Sequence, residues 1–190
     1  MRFIEFFLSF MIIVILFLYL KNHYAEVTYV KSSLDGEMYL VRRLPDKEKA
    51  ADILAKLAAD MEKLIKHLVA KYPDNKDVKR LYGNFNKRHI SEGSPESNYT
   101  SYSVDKGKRL VFCIRQKNSS NTFVEYNTLL YVCIHELAHC ALTDIGHTPN
   151  FWETFRFLLK EAVDIGLYKK IDYAQNPAEF CGIKITSSVI

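Results

Sequence analysis

The sequence predicts an α+β domain behind an N-terminal transmembrane helix. Three observations carry this reading. Residues 3–20 are apolar apart from Glu5 and Ser9. Two strand-like runs, 100–104 and 109–115, flank the turn former Asp105-Lys106-Gly107-Lys108. Two long stretches, 45–71 and 128–143, are helical in pattern, the first by amphipathic spacing and the second by being apolar nearly all round.

Taken in order, residues 3–20 would rise about 27 Å as a helix, close to the thickness of a bilayer core. Tyr19, Lys21 and Tyr24 sit where interfacial anchors belong. The flank 21–25 offers no small-x-small cleavage site, which favours an anchor over a cleaved signal. The expected organisation is therefore an anchor over 1–23, a tether over 24–44 with room for a short strand, and one domain over 45–190. A single-pass membrane protein follows from it.

In the first long helix, Ile53, Leu54, Leu57, Met61, Leu64, Ile65 and Leu68 recur at three-four spacing, and Tyr72-Pro73-Asp74-Asn75 ends it. His67 beside that stripe reads as a surface or hydrogen-bonded histidine. Lys79, Arg80, Lys87 and Arg88, with Tyr82 and Phe85 between them, read as a solvated face, with phosphate contact as the sharper alternative. Residues 91–100 are rich in turn formers. The run 110–114 is continuously apolar, so its strand should be covered on both faces.

Composition sets bounds. One hundred and ninety residues allow one ordinary domain and a short appendage. Twenty-six Lys and Arg against twenty-two Asp and Glu leave +4, too weak to argue for nucleic acid alone. The four cysteines, Cys113, Cys133, Cys140 and Cys181, make no C-x-x-C pair and suit a reducing compartment or core packing. Cys133 and Cys140 stand about 10 Å apart on one helix and cannot pair with each other.

The second helical stretch contains His135-Glu136-Leu137-Ala138-His139. Histidines four apart lie one turn apart on one face, so both imidazoles can reach one metal ion. Glu136 can address a water there without being a ligand. A buried helix tolerates such groups only when something satisfies them, and a zinc ion does so. Gly146 offers a left-handed stop, and Thr148-Pro149 an N-cap and first-turn proline for another helix over 149–165. The turn could return His147 as a third ligand, leaving one position open, as in catalytic zinc sites. Glu161 or Glu153 is the substitute third ligand.

Residues 135–152, H-E-L-A-H-x7-H-T-P-N-F-W, resemble the WLM and SprT-like zincin metallopeptidases, and Asn176 to Gly182 resembles WLM-like proteins of large DNA viruses. The spacing from His139 to His147 is longer than the pattern's, and no methionine turn follows. The resemblance implies a zincin-like fold, Zn2+ held by His135, His139 and His147, Glu136 as catalytic base, and a protein or peptide substrate. Tyr168 and Tyr173 are candidate oxyanion donors. The strand over 109–115 would suit strand addition by a substrate if it is a sheet edge. Phe151 and Trp152 read as core packing. The alternatives are a zinc-dependent hydrolase of a non-peptide bond and a non-catalytic zinc-binding or nucleic-acid-docking module.

Overall fold

Short β-branched and aromatic runs between long amphipathic stretches fold into a mixed sheet covered by helices. The computed structural model describes residues 2–23, 26–94, 97, 99–118 and 120–190. Strands β1 (Val27–Lys31), β2 (Met38–Arg42), β3 (Ile90–Glu92), β4 (Ser101–Val104) and β5 (Arg109–Phe112) form one sheet in the order β1-β2-β3-β5-β4. The β1–β2 and β4–β5 pairs are antiparallel, while β2–β3 and β3–β5 are parallel. The helices are α1 (Arg2–His23), α2 (Lys47–Lys71), α3 (Lys76–Asn84), α4 (Tyr126–Ala141) and α5 (Pro149–Asp164), and a separate hairpin pairs β6 (Ala178–Phe180) with β7 (Ile183–Ile185).

The stripe on α2 buries Leu54, Leu57, Met61, Leu64, Ile65 and Leu68 against the sheet and the other helices, while Ile53 at its margin stays half-buried. α4 runs through the middle of the domain, with Leu129, Leu130, Cys133, Ile134, Leu137 and Ala138 all buried. The expected strand pair forms as β4 and β5, joined by a tight 3₁₀ turn in which Asp105 and Lys106 adopt left-handed φ of 46° and 58°.

The structure corrects four expectations. The membrane anchor and the single-pass location are not upheld. α1 forms over the expected segment, but among the described residues no helix is long and apolar enough to cross a membrane. Its described side chains, 4–20, rise about 25 Å against a core of about 30 Å, and Glu5 is among them. The expected interfacial residues Lys21 and Tyr24 fall outside the described side chains. Second, much of the segment read as a tether is the β1–β2 hairpin. Tyr39 and Val41 point into the core at 2% and 0% exposure, the alternation that seats a strand on a hydrophobic layer.

Third, β5 lies between β3 and β4, so among the described residues the sheet's edge strands are β4 on this side and β1 on the other. A continuous apolar run shows burial of both faces, not which strand lies alongside. Fourth, Cys113 and Cys181 are disulfide-bonded across a separation of 68 residues, whereas Cys133 and Cys140 are free and buried.

Beside β3 lies a buried ion pair. Arg115 Nε donates to Glu92 Oε1 at 2.9 Å, with the two side chains 2% and 1% exposed. Arg115 also reaches Asp46 at the start of α2, and Glu92 accepts the Arg42 backbone N–H at 2.7 Å. Removing the guanidinium strands a buried carboxylate. Arg115→Met should therefore cost about 3–5 kcal/mol in urea unfolding; a loss under about 1 kcal/mol would show that the pair is not buried as described.

Candidate metal centre

Two backbone devices bring three histidines together. His135 and His139 share a face of α4 by their four-residue spacing. α4 then stops at Ala141, because α3 covers its end: Asn84 Nδ2 donates to the Cys140 carbonyl at 3.0 Å and Arg80 Nη1 to that of Ala141 at 2.7 Å. Leu142 is already extended. Gly146 is thus not the helix stop that its position suggested. At φ +79° it bends the loop immediately before His147. Thr148 caps α5 by accepting the Phe151 N–H at 3.2 Å, with Pro149 in the first turn.

The loop between the two helices is pinned from several sides. Asp144 Oδ2 accepts from Thr148 Oγ1 and Asn150 Nδ2, each at 3.2 Å, and Lys106 Nζ donates to the Asp144 carbonyl. Lys106 reaches it because the β4–β5 turn lies against α4. A Cβ at Gly107 would sit 3.0 Å from the Asn84 carbonyl oxygen and 3.1 Å from Cys140 Sγ, so only glycine permits this approach.

The outcome is a near-equilateral triangle of imidazoles. Ring centroids are 4.9–5.0 Å apart in all three pairs. His147 Nε2 lies 3.0 Å from His135 Nε2 and 3.2 Å from His139 Nε2. Ligand nitrogens about 2.0–2.1 Å from one tetrahedral ion would stand roughly 3.4 Å apart, close to these values. Burial first, and then the neighbouring imidazoles, pull His135 down to about 3. Burial, then His147 and Lys106, pull His139 down to about 4. Both rings are neutral at ordinary pH, and one proton can bridge only one pair of facing lone pairs. A cation satisfies all three, and the set is one that could hold a metal ion.

Phe151 underpins the triangle. Fully buried, it stacks on His139 at 4.3 Å and meets His135 and His147 edge-on at 4.8 and 4.7 Å. Its reading as core packing is incomplete, since the core it packs against is the site. Trp152 is 40% exposed and tilts over His147 at the cleft mouth. Glu136, 6% exposed, is pushed up to about 7 by burial, while a hydrogen bond from the Ser103 backbone N–H of β4 opposes the shift.

The cleft over these residues has a volume of about 780 Å3 and is lined by β4, the loop before His147, and β7 with the residues after it. Tyr168 and Tyr173 do not line it; they are 3% and 0% exposed, too enclosed to serve a substrate. Glu161 is committed elsewhere, accepting from Tyr72 at 2.6 Å, from Lys71 at 2.9 Å and bonding His67 at 2.7 Å. Glu153 lines a different, smaller pocket. The basic stretch is internally partnered: Lys79 faces Asp74, Arg80 Asp77, Lys87 Glu62 and Arg88 Glu37.

Residues 33–182 match the model of the WLM domain, which spans β2 to β6 and every residue of the histidine triangle. The chain belongs to the WLM domain family. This is a zinc-metallopeptidase-like family. The chain is 35% identical over 183 residues to uncharacterized protein R325 of Acanthamoeba polyphaga mimivirus, covering 94% of this chain and 92% of that protein. Over 84 residues it is 33% identical to uncharacterized protein 136R of Invertebrate iridescent virus 6, covering 44% of this chain and 47% of the relative. It is similar to the crystal structure of Wss1 from Saccharomyces cerevisiae with a TM-score of 0.52, covering 66% of this chain and 86% of that one. At 17% identity that likeness is one of fold.

Glu161 supplies a test of the third corner. Burial would raise its carboxyl, but the bonds from Tyr72, Lys71 and His67 outweigh that and hold it below the usual value. A depressed carboxyl stabilises the fold above its unfolded pKa of about 4.3, and the gain disappears as pH falls through the folded value. Glu161→Gln should therefore lower stability at neutral pH, with the deficit fading below about pH 4, and leave metal content unchanged. Loss of bound metal in that variant would put Glu161, not His147, at the site.

Proposed function

We propose that this WLM protein is a zinc-dependent peptidase in which His135, His139 and His147 hold the metal and Glu136 is the general base. The observation that carries it is the convergence of three imidazoles beside a buried carboxylate at the foot of a cleft edged by β4. A zinc ion held by three imidazoles supplies Lewis-acid polarisation of a carbonyl and lowers the pKa of a water toward about 7.

The chain's own residues then have distinct tasks. The Glu136 carboxylate, held by the Ser103 N–H, takes a proton from the attacking water and returns it to the leaving nitrogen. β4 is an edge strand lining the cleft, so the part of that edge not engaged by Glu136 can pair with an extended peptide. That supports a peptide bond over other amides as the substrate. Cys133 and Cys140 are fully buried in α4 and do not belong to the group of ligand atoms that converges at the three histidines.

Glu136→Gln keeps the shape and removes the base. It should retain one zinc per chain while peptide hydrolysis drops about 10²–10⁴-fold. Wild-type rates in that variant would refute the assignment of the base.

A further inference from the structure

The cleft has two walls. One is β4. The other is the β6–β7 hairpin and the chain that follows it, which bring Phe180, Ile183, Ile185 and Ser187 to the same cavity as His135 and Glu136. Much of this second wall, from Ile183 onward, lies beyond the residues that match the WLM domain. Among the described residues, β6 and β7 pair only with each other. An isolated two-stranded hairpin is marginal in water, so its place must be set by other ties.

Those ties are few. Phe180 is buried at 1% exposure. Gln116 brackets the turn, its Nε2 donating to the Glu179 carbonyl and its Oε1 accepting the Cys181 N–H, both at 2.9 Å. At the far end Ser188 Oγ accepts the Tyr173 N–H at 2.6 Å, and the Val189 carbonyl accepts from Arg156 at 3.1 Å. The covalent tie is Cys113–Cys181.

Cys181 and Gly182 form the two-residue turn between the paired Phe180 and Ile183, at φ of 51° and 84°. That turn ordinarily selects Asn, Asp or Gly, because both residues need left-handed backbone. A cysteine sits there against that preference, and its sulfur is joined to the chain just past the end of β5, which pairs with β4. The bond thus ties one wall of the cleft to the base of the other.

We propose that the Cys113–Cys181 disulfide is a redox latch on the substrate-binding wall. Closed, it holds β7 at the cleft and substrate binds; opened, the hairpin lifts and affinity falls, with the histidine triangle and Glu136 left in place. The proposal rests on the reading of this cleft as a peptide site. The opening reagent is a dithiol. Its thiolate attacks one sulfur to give a mixed disulfide, and its second thiol displaces the protein thiol. Two electrons and two protons pass to Cys113 and Cys181, and the reagent departs as its own disulfide. The cysteines are 8% and 2% exposed, so exchange follows a local opening of the hairpin. Cys133 and Cys140, fully buried in α4, are not available as exchange partners.

The test is hydrogen exchange and steady-state kinetics on the full chain, first with the bond intact and then after dithiol reduction and removal of the reagent. The Cys113→Ser/Cys181→Ser chain without reductant provides the open state without the two thiols that reduction of the bond would release. Opening should speed exchange at 178–187 by about tenfold or more and leave α4 protection and zinc content unchanged. It should raise KM for an unstructured fluorogenic peptide about tenfold with kcat within about twofold. Unchanged exchange at 178–187, loss of α4 protection together with zinc, or alkylation of both cysteines in the untreated chain would each overturn the latch. If the closed chain cleaves no peptide, the peptidase reading fails, and the exchange and alkylation results decide the latch by themselves.

Discussion

Three imidazole nitrogens with their lone pairs turned toward one another constitute an arrangement that a protein interior resists. Much of the structure serves to impose it. α4 packs its other faces into the core, so His135 and His139 are turned together toward the cleft. α3 ends α4 by taking its last carbonyls on Asn84 and Arg80. That releases the chain at Leu142 into a loop held by Asp144 and Lys106, which delivers His147. Phe151 then fills the space under all three rings. Each contact is ordinary, but together they bring the three ring nitrogens to within reach of one cation.

The same economy links the sheet to the chemistry. The β4–β5 turn uses two left-handed non-glycine residues and then Gly107 to reach the surface of α4. This places the Ser103 N–H against Glu136 and Lys106 against the His147 loop. The strand that can accept a peptide is therefore also the strand that orients the carboxylate. In the proposed mechanism, peptide pairing and proton transfer would share one strand, as a preorganised site requires.

Much of this was legible in the sequence, where the signal was local. The i, i+4 histidines, the Thr148-Pro149 helix start, the α2 stripe and the β4–β5 pair all follow from spacing and turn chemistry. What was not legible depends on lateral or distant contacts. The run 110–114 showed a strand buried on both faces, but not that β4 is its outer neighbour. Phe151 looked like any core aromatic until His139 was found stacked on it. Tyr168 and Tyr173 were plausible donors by position and prove to be enclosed. Cys113 and Cys181 carry no pairing signal at a separation of 68 residues, although the Cys-Gly turn between two short β runs was a clue to the hairpin. The apolar segment at 3–20 showed a helix correctly and its environment incorrectly: α1 forms, and among the described residues no helix is long and apolar enough to span a bilayer.

On this reading the histidine triangle holds one metal ion. The most direct measurement is an anomalous-difference map collected at the zinc edge from crystals of the zinc-loaded chain. A single peak is expected about 2.0–2.1 Å from Nε2 of His135, His139 and His147, with a fourth position facing the cleft. A peak bound through Glu161 or through a cysteine, or no peak at the triangle in zinc-loaded crystals, would contradict it.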